Sequence, residues 1–317
     1  MEPASPKENN LHKKIIKLMG NRFELTVVHT DPSIAQDCIN AAVAEISRIE
    51  QLLTTFKESS QTNQVNAMAG IRPVHVDKEV FDLVYRSKKI SRITQGAFDI
   101  SYGSIDKAFW NFDTNMTALP DAANARRSIR LINYNNIILD DKEGTIFLKE
   151  KGMRIGFGGI GKGYAADRAR QVLIDKGISQ AVVNAAGDLI TLGTQPNGEP
   201  WTVGIADPET RYYPFSQLAI SNKAVATSGN YEKFVIIGGK KYSHTIDPKT
   251  GFPVSGIKSV TIISPSAELA DAMTTPVMVM GIKAGMDMIN QLKELACIII
   301  DDNNKVYTSN NVKITDI

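Results

Sequence analysis

The spacing of apolar residues along the chain changes repeatedly between a strand period and a helix period. Residues 14–29 alternate as a strand does. A helix is then predicted from Ser33 to about Leu53, because Asp31 is a good N-cap and Pro32 suits the first helical position. The other predicted helices follow Asp77 or cover residues 121–128, 164–176, 267 to about 280 and 284–295.

Strands are predicted between these helices, without a regular alternation of one strand and one helix. Residues 136–157 indicate strands joined at Glu143 and Gly144, and a last hairpin pairs residues 297–300 with Val306. This mixture predicts an α+β fold, a single elaborated domain of mixed, largely antiparallel sheets with packed helices. Other strands are expected around Ala181, Leu189, Trp201, Leu218, Val225, Phe234 and Val260.

Composition narrows the class of protein. The chain has 317 residues, 43% of them hydrophobic, and a net charge of +2 with mixed signs, so it predicts a packed core and gives no electrostatic argument for nucleic acid. Cys38 and Cys297 lie in apolar patterns and are expected to be buried thiols. The polar residues 1–13 are interpreted as a disordered lead before one domain, residues 14–317.

The first segment with recognisable chemistry is GFGGIGKG at residues 156–163. Glycine lets the backbone approach a ligand, and amides at a helix start favour phosphate. A dinucleotide fingerprint needs an acid at the tip of the next strand, and that strand, residues 180–184, runs into Ala185, Ala186 and Gly187 instead.

A P-loop interpretation of the same segment also fails. The P-loop needs a metal-binding hydroxyl after its lysine, and here Gly163 follows Lys162. Two interpretations stay open from these residues: a phosphate loop of another kind, or a tight strand-to-helix turn carrying a surface lysine.

Two further polar clusters are candidates. His244 lies among Ser243, Thr245 and Asp247, and histidine is the side chain best suited to act as a general base near neutral pH. The alternative is a hairpin whose polar residues only cap a turn. His12, His29 and His75 are interpreted as structural.

The other cluster pairs Asp271 with Thr275, which share one helix face at positions i and i+4. A carboxylate and a hydroxyl are hard oxygen ligands that suit Mg²⁺. Pro276 removes the helical partner of the Ala272 carbonyl, which could face the same ion. The alternative is that Asp271 bonds locally and Pro276 only kinks the helix.

Together, and in this order, these clusters resemble the ApbE family of flavin transferases, the FAD:protein FMN transferases. The likeness extends over nearly the whole chain from about residue 15, and eight ordered segments make it specific. The matching segments are Met19-Gly20 and residues 54–56, 94–99, 158–164, 184–188, 224–229, 242–253 and 271–275.

The resemblance implies Mg²⁺-dependent transfer of FMN from FAD to a Ser or Thr hydroxyl of a target protein, with release of AMP. It implies that Asp271, Thr275 and a carbonyl, that of Gly159, hold the metal. It further implies that Lys162 faces the phosphates and His244 accepts the proton of the attacking hydroxyl. Residues expected to line the flavin and adenine sites are Met19, Phe56, Ala97, Phe98, Asp99, Gly156, Ser228 and Ile246.

Four departures from the family pattern bear on FAD affinity. Gly156-Phe157 replaces Asp-Leu, which removes a polar flavin contact; Phe56 replaces tyrosine, which keeps stacking without a hydroxyl; and Asn-Ala-Ala-Gly-Asp at residues 184–188 replaces Asn-x-Gly-Gly-Asp. Pro276 replaces alanine. None removes the metal pair or His244, so activity with altered FAD affinity is expected.

Two other functions stay open at this stage: hydrolysis of FAD to FMN and AMP in the same pocket, and a non-catalytic FAD-binding module. The resemblance also implies an acceptor protein, such as an FMN-binding subunit of a redox pump. It places the protein at the outer face of the bacterial inner membrane, if a signal or anchor has been removed. No apolar stretch reaches the roughly 18 residues that span a bilayer.

Overall fold

The computed structural model describes residues 10–106, 118–206, 214–229, 234–238, 240–243 and 245–312, with the side chains of 205, 206, 214–216, 240 and 241 left aside. Its helices are α1 (Pro32–Leu53), α2 (Gln61–Ala67), α3 (Lys78–Ile93), α4 (Ala122–Ser128), α5 (Gly161–Asp175) and α6 (Ala267–Asn290).

The first seven strands are β1 (Leu11–Leu18), β2 (Asn21–Val28), β3 (Val74–His75), β4 (Ile137–Asp140), β5 (Thr145–Leu148), β6 (Ala181–Ala185) and β7 (Asp188–Leu192). The later ones are β8 (Trp201–Ala206), β9 (Pro214–Ile220), β10 (Ala224–Gly229), β11 (Phe234–Ile237), β12 (Lys240–Ser243), β13 (Ile257–Ser264), β14 (Ala296–Asp301) and β15 (Val306–Thr308).

An eight-stranded sheet in the order β1-β2-β6-β7-β10-β13-β14-β15 forms the centre, and all its neighbouring strands are antiparallel. Three small antiparallel sheets accompany it: β3-β5-β4, β8-β9 and β11-β12. The predicted α+β class with largely antiparallel sheets is confirmed, and none of the helices described is long and apolar enough to cross a membrane.

The N-terminal strand differs from its prediction. Residues 14–29 form a hairpin that turns at Met19 and Gly20, whose φ angles of 51° and 74° lie in the left-handed region. β1 begins at Leu11, so the last residues assigned to a disordered lead are part of the sheet. Phe23, Leu25 and Val27 alternate into the core as the strand period requires.

The predicted start of α1 is confirmed. The Asp31 carboxylate accepts the amides of Ser33 at 2.8 Å and Ile34 at 3.3 Å, and Pro32 occupies the first helical position. α3 and α4 also follow their predicted aspartates. The short helix α2 and the strand β12 are absent from the prediction. Cys38 and Cys297 are both buried thiols, as predicted.

The segment before the glycines is not the strand that its apolar alternation suggested. The prediction that strands continue to Phe157 is wrong, because residues 153–157 have no strand partner. The side-chain amide of Asn66 takes the partner's place: its Oδ1 accepts the Ile155 amide at 2.7 Å, and its Nδ2 donates to the Ile155 carbonyl at 3.0 Å. A side chain therefore satisfies this buried backbone.

Helices α1, α5 and α6 pack together on the central sheet and enclose the main core. α5 begins at Gly161, within the glycine segment and three residues before its predicted start. α6 contains Pro276 and is interrupted at Gly281 (φ 80°, ψ 172°), so the two predicted helices are two arms that meet there. The second arm ends at Asn290, earlier than predicted.

Candidate active site

The glycine segment forms a turn that leads into α5. The amide of Gly161 donates to the Phe157 carbonyl at 2.7 Å, which starts the helix. Gly158 is exposed with open space where a side chain would be. A Cβ placed on Gly159 would lie 3.8 Å from both the Phe98 ring and the Thr275 hydroxyl. Three distant parts of the sequence therefore meet at this turn.

Lys162 is held between two buried carboxylates. Its Nζ lies 2.6 Å from Oδ2 of Asp188 and 3.4 Å from Oδ1 of Asp271, and the two aspartate side chains are only 7% and 6% exposed. Burial alone would lower the pKa of Lys162, but the charges of Asp271 and Asp188 outweigh it and hold that pKa above its usual value. The interpretation of Lys162 as a surface lysine is wrong.

Helices α5 and α6 approach each other closely at Gly163. Its amide donates to Oδ2 of Asp271 at 3.1 Å, and a Cβ at this position would overlap the Ala267 carbonyl. A P-loop serine or threonine at Gly163 would push the two helices apart. Helix α6, which leaves no room for a hydroxyl side chain at position 163, carries the hydroxyl of Thr275.

Two hydrogen bonds through Thr274 link the main chain of α6 at Asp271 to strand β10. The Thr274 hydroxyl donates to the Asp271 carbonyl at 2.9 Å and accepts from Ser228 at 2.7 Å. Thr274 is buried, whereas Thr275 is partly exposed and faces the glycine turn. Thr275, the threonine predicted to bind the metal, is thus the more exposed of the two.

Met19 and the residue before Phe56 lie close to the glycine segment. Thr55, next to Phe56, places its methyl 3.9 Å from a Cβ position at Gly156, and the Phe56 side chain is 97% exposed. The Met19 methyl lies 3.6 Å from a Cβ position at Gly161. Met19 therefore lies beside the glycine segment, and Phe56 directly follows a residue that does.

Residues 94–99 form a turn next to the glycine segment, where the Phe98 ring lies near Gly159. Gln95 and Gly96 take positive φ angles of 51° and 82°, and Ala97 and Phe98 are buried beyond them. Both oxygens of Asp99 accept hydrogen bonds from within the protein, from the Ser101 amide (2.8 Å) and hydroxyl (2.6 Å) and the Tyr134 amide (2.7 Å). Burial raises the pKa of Asp99 despite these bonds.

His244 lies outside the residues that the structure describes. The turn after His244 is described: the Asp247 carboxylate accepts the Lys249 amide at 2.8 Å and the Thr250 hydroxyl at 3.1 Å, so these residues do cap a turn. The side chain of Ile246 is buried in a small cluster with Ile129.

The remaining histidines have structural contacts, in accord with their interpretation. His12 Nε2 bonds the His29 carbonyl at 3.0 Å, His29 Nδ1 bonds Asp31, and His75 Nδ1 bonds the Glu143 carbonyl at 2.7 Å.

The donor set suits a hard divalent cation. Lys162, Asp188 and Asp271 carry a combined charge of −1, and the Thr275 hydroxyl, which faces the turn at Gly159, adds a neutral oxygen. In the described part of the chain, no three His, Cys, Asp or Glu side chains come together as a metal-binding group. Oxygen ligands around one carboxylate fit Mg²⁺ better than zinc.

A protein-family profile and named relatives match most of the chain. The sequence profile of the ApbE family matches residues 19–299. The chain belongs to the ApbE family. A protein of Klebsiella pneumoniae named FAD:protein FMN transferase is 31% identical over 95% of this chain and 93% of its own. A protein of the same name from Escherichia coli is 27% identical over 87% and 80%.

Solved ApbE structures share the fold. The crystal structure of the ApbE protein from Thermotoga maritima has a TM-score of 0.87 and 27% identity, and the match covers 97% of this chain and 99% of that one. The apo flavinyl transferase ApbE of Pseudomonas stutzeri has a TM-score of 0.83 at 23% identity, covering 95% of each chain. The family resemblance expected from the motifs is confirmed.

Sequence reasoning missed two carboxylates of this ApbE protein. It flagged the stretch 184–188 without pairing Asp188 with Lys162, and it did not single out Asp167. The Asp167 carboxylate accepts the amides of Ala267 and Glu268 at 2.9 and 2.8 Å. Its signal was faint: Asp167 lies one helical turn after Gly163, on the face that meets α6.

Proposed function

We propose that this protein transfers FMN from FAD to a serine or threonine hydroxyl of an acceptor protein and releases AMP. The observation that carries the proposal is the buried cluster of Lys162, Asp188 and Asp271 beside the open turn at Gly158 and Gly159. The names of its ApbE relatives support the same reaction.

Asp271, Thr275 and the Gly159 carbonyl would hold Mg²⁺. The bound ion would neutralise pyrophosphate oxygens and stabilise charge that develops on phosphorus and on the departing AMP. Asp271 is suited to this role because α6 and the Gly163 amide hold its carboxylate in a buried place.

Lys162 and the start of α5 would bind the pyrophosphate directly. The raised pKa keeps the lysine protonated at physiological pH, so it offers a permanent positive charge. Amides at a helix N-terminus attract phosphate oxygens, and Gly158 leaves room for close approach. Asp188 would hold the ammonium at that place.

His244 would accept the proton as the acceptor hydroxyl attacks the FMN phosphorus. The bond from that phosphorus to the bridging oxygen breaks, AMP leaves with that oxygen, and FMN becomes a phosphoester of the acceptor side chain. Histidine is the side chain best suited to accept a proton near neutral pH.

The flavin and adenine would lie along the glycine segment. Met19 and the residue before Phe56 lie beside that segment, which begins at Gly156, and the Phe98 ring lies near Gly159, with Ala97 buried next to it in the chain. Phe56 would stack on a planar ring. Asp99, Ser228 and Ile246 are also predicted to contact the nucleotide. In the structure Asp99 bonds within the protein, Ser228 bonds Thr274 and the Ile246 side chain is buried.

An incubation of the protein with FAD, Mg²⁺ and a candidate acceptor tests the proposal. An acceptor that gains the mass of FMN, together with stoichiometric AMP, would support transfer. FMN and AMP release without a mass gain would mean hydrolysis of FAD, and FAD binding with neither product would mean a binding module. An acceptor with its target serine or threonine changed to alanine is the matched control.

Our proposals for the acceptor protein and the cellular compartment rest on the family resemblance. We propose an acceptor such as an FMN-binding subunit of a redox pump, and a location at the outer face of the inner membrane.

A further inference from the structure

One carboxylate of α5 is committed to the first turn of α6. Asp167 accepts the Ala267 amide on Oδ1 at 2.9 Å, and the Glu268 amide and Ser266 hydroxyl on Oδ2 at 2.8 and 2.7 Å. Helix starts leave amides without intrahelical partners. In α6 a residue of another helix supplies partners for two of them.

On each helix, this contact lies one turn away from the contact between the Gly163 amide and the Asp271 carboxylate. From Gly163 to Asp167, α5 advances four residues, and from Asp271 to Ala267, α6 goes back four. The two pairs, Gly163 with Asp271 and Asp167 with Ala267, therefore fix the axial position of one helix on the other. The missing side chain at Gly163 removes the steric spacer between them.

We propose that Asp167 is a positioning residue for the metal site, because it sets where Asp271 lies relative to Lys162 and the glycine turn. The inference rests on the proposed function, in which Asp271 binds Mg²⁺. Groups that orient metal ligands from outside the ligand set commonly change metal affinity or activity 10- to 100-fold.

A capping role alone does not account for this arrangement. Ser266 is already the N-cap of α6, and its hydroxyl accepts the Leu269 amide at 3.3 Å. A residue directly before a helix can also satisfy two amides of that helix, as Asp31 does for α1. A local cap would stabilise α6 without tying it to α5.

This difference allows a direct test with two variants. Asp167→Ala removes both the cap and the tie between helices. Asp167→Ala combined with Ser266→Asp puts a local acid cap back, in the manner of Asp31, and leaves the tie absent. Isothermal titration with Mg²⁺ alone gives the dissociation constant, and thermal unfolding without metal gives Tm.

We expect Asp167→Ala to raise the Mg²⁺ dissociation constant about 10- to 100-fold and to lower Tm. The double variant should recover much of the Tm and keep the weak Mg²⁺ binding. Asp175→Ala is the matched control, since Asp175 is on the same helix, is exposed and bonds only Gln171 among the contacts described.

Three results would overturn the inference. Mg²⁺ binding by Asp167→Ala within about twofold of wild type would exclude positioning, and so would recovery of Mg²⁺ binding together with Tm in the double variant. Equal binding by wild type and Asp271→Ala would refute the metal assignment of the proposed function, and this inference with it. If the alanine variant does not fold, Asp167→Asn replaces it, with a smaller rise in the dissociation constant expected.

Discussion

Two clusters of charged residues lie along α5 and differ in how their charges balance. The site cluster is Lys162, Asp188 and Asp271, at the start of the helix. The surface network lies further along and consists of two ion-paired groups, one joining α1, α3 and α5 and the other joining α3 and α6. Its members are Glu45, Glu79, Glu268, Arg48, Arg86 and Arg168.

In the surface network each acid is paired with an arginine. Its formal charges sum to zero, and Arg86 grips Glu268 with two bonds of 2.6 and 2.9 Å. A hydrogen bond from Arg48 is the largest cause that lowers the pKa of Glu45, although burial opposes it. The site cluster has two acids and one cation in a more buried place. Surplus charge and deep burial, and not the number of ion pairs, thus distinguish this candidate site from the structural network.

The largest effect is expected for Asp271→Ala, which removes the surplus charge. FMN transfer should be abolished, and Mg²⁺-dependent FAD binding should weaken, because the main metal carboxylate is gone. Mass analysis of the acceptor and FAD titration with and without Mg²⁺ would measure both. Unchanged transfer by this variant would refute the metal assignment and remove the basis of the comparison.

His244→Ala tests whether proton transfer is separate from the site cluster. We expect a loss of rate on the order of 10²–10⁴, the usual scale for a positioned base, with FAD binding retained. His75→Ala is a control at a histidine with a structural contact. Weak FAD binding by His244→Ala would assign the residue to the ligand site instead of to proton transfer.

Asp188→Asn tests the role of the second acid. Without that charge Lys162 has only Asp271 as a carboxylate partner of the site cluster, so it should compete with the metal there. We expect the Mg²⁺ concentration for half-maximal transfer to rise about tenfold or more. Asp301→Asn, at another buried acid of the central sheet, is the control. An unchanged Mg²⁺ requirement would count against the competition.

The smallest effect is expected for Arg168→Ala in the surface network. Arg168 is 41% exposed and lies 3.2 Å from Glu45, so its loss should cost at most about 1 kcal/mol of unfolding free energy. Transfer rate and Mg²⁺ requirement should stay within about twofold of wild type. Denaturant unfolding and the transfer assay would check this, and a large loss of activity would show that the two clusters are coupled.

Local signals predicted most of the fold. The cap formed by Asp31 and Pro32, and the i, i+4 pair of Asp271 and Thr275, depend on neighbours in the sequence, so their pattern is visible there. Residues 153–157 misled the prediction because their alternation suits a strand, whereas the partner is the Asn66 side chain. No local pattern reports a partner so distant in the chain.

The site was harder to predict than the fold. Lys162 and Asp271 were each identified, but their contact, and that of Lys162 with Asp188, depends on how α5, α6 and β7 pack. Asp167 is a further case, since a helical aspartate looks like an ordinary surface residue until the start of α6 is placed against it.

The exposed ring of Phe56 has a consequence for the energy of ligand binding. Because 97% of this side chain is in water, the free protein gains almost nothing from its burial. A planar ligand that covered about 100 Å² of apolar surface there would gain about 2.5 kcal/mol, which is roughly 70-fold in affinity. If the proposed stacking on Phe56 occurs, its apolar contact would contribute to ligand affinity and almost nothing to folding stability.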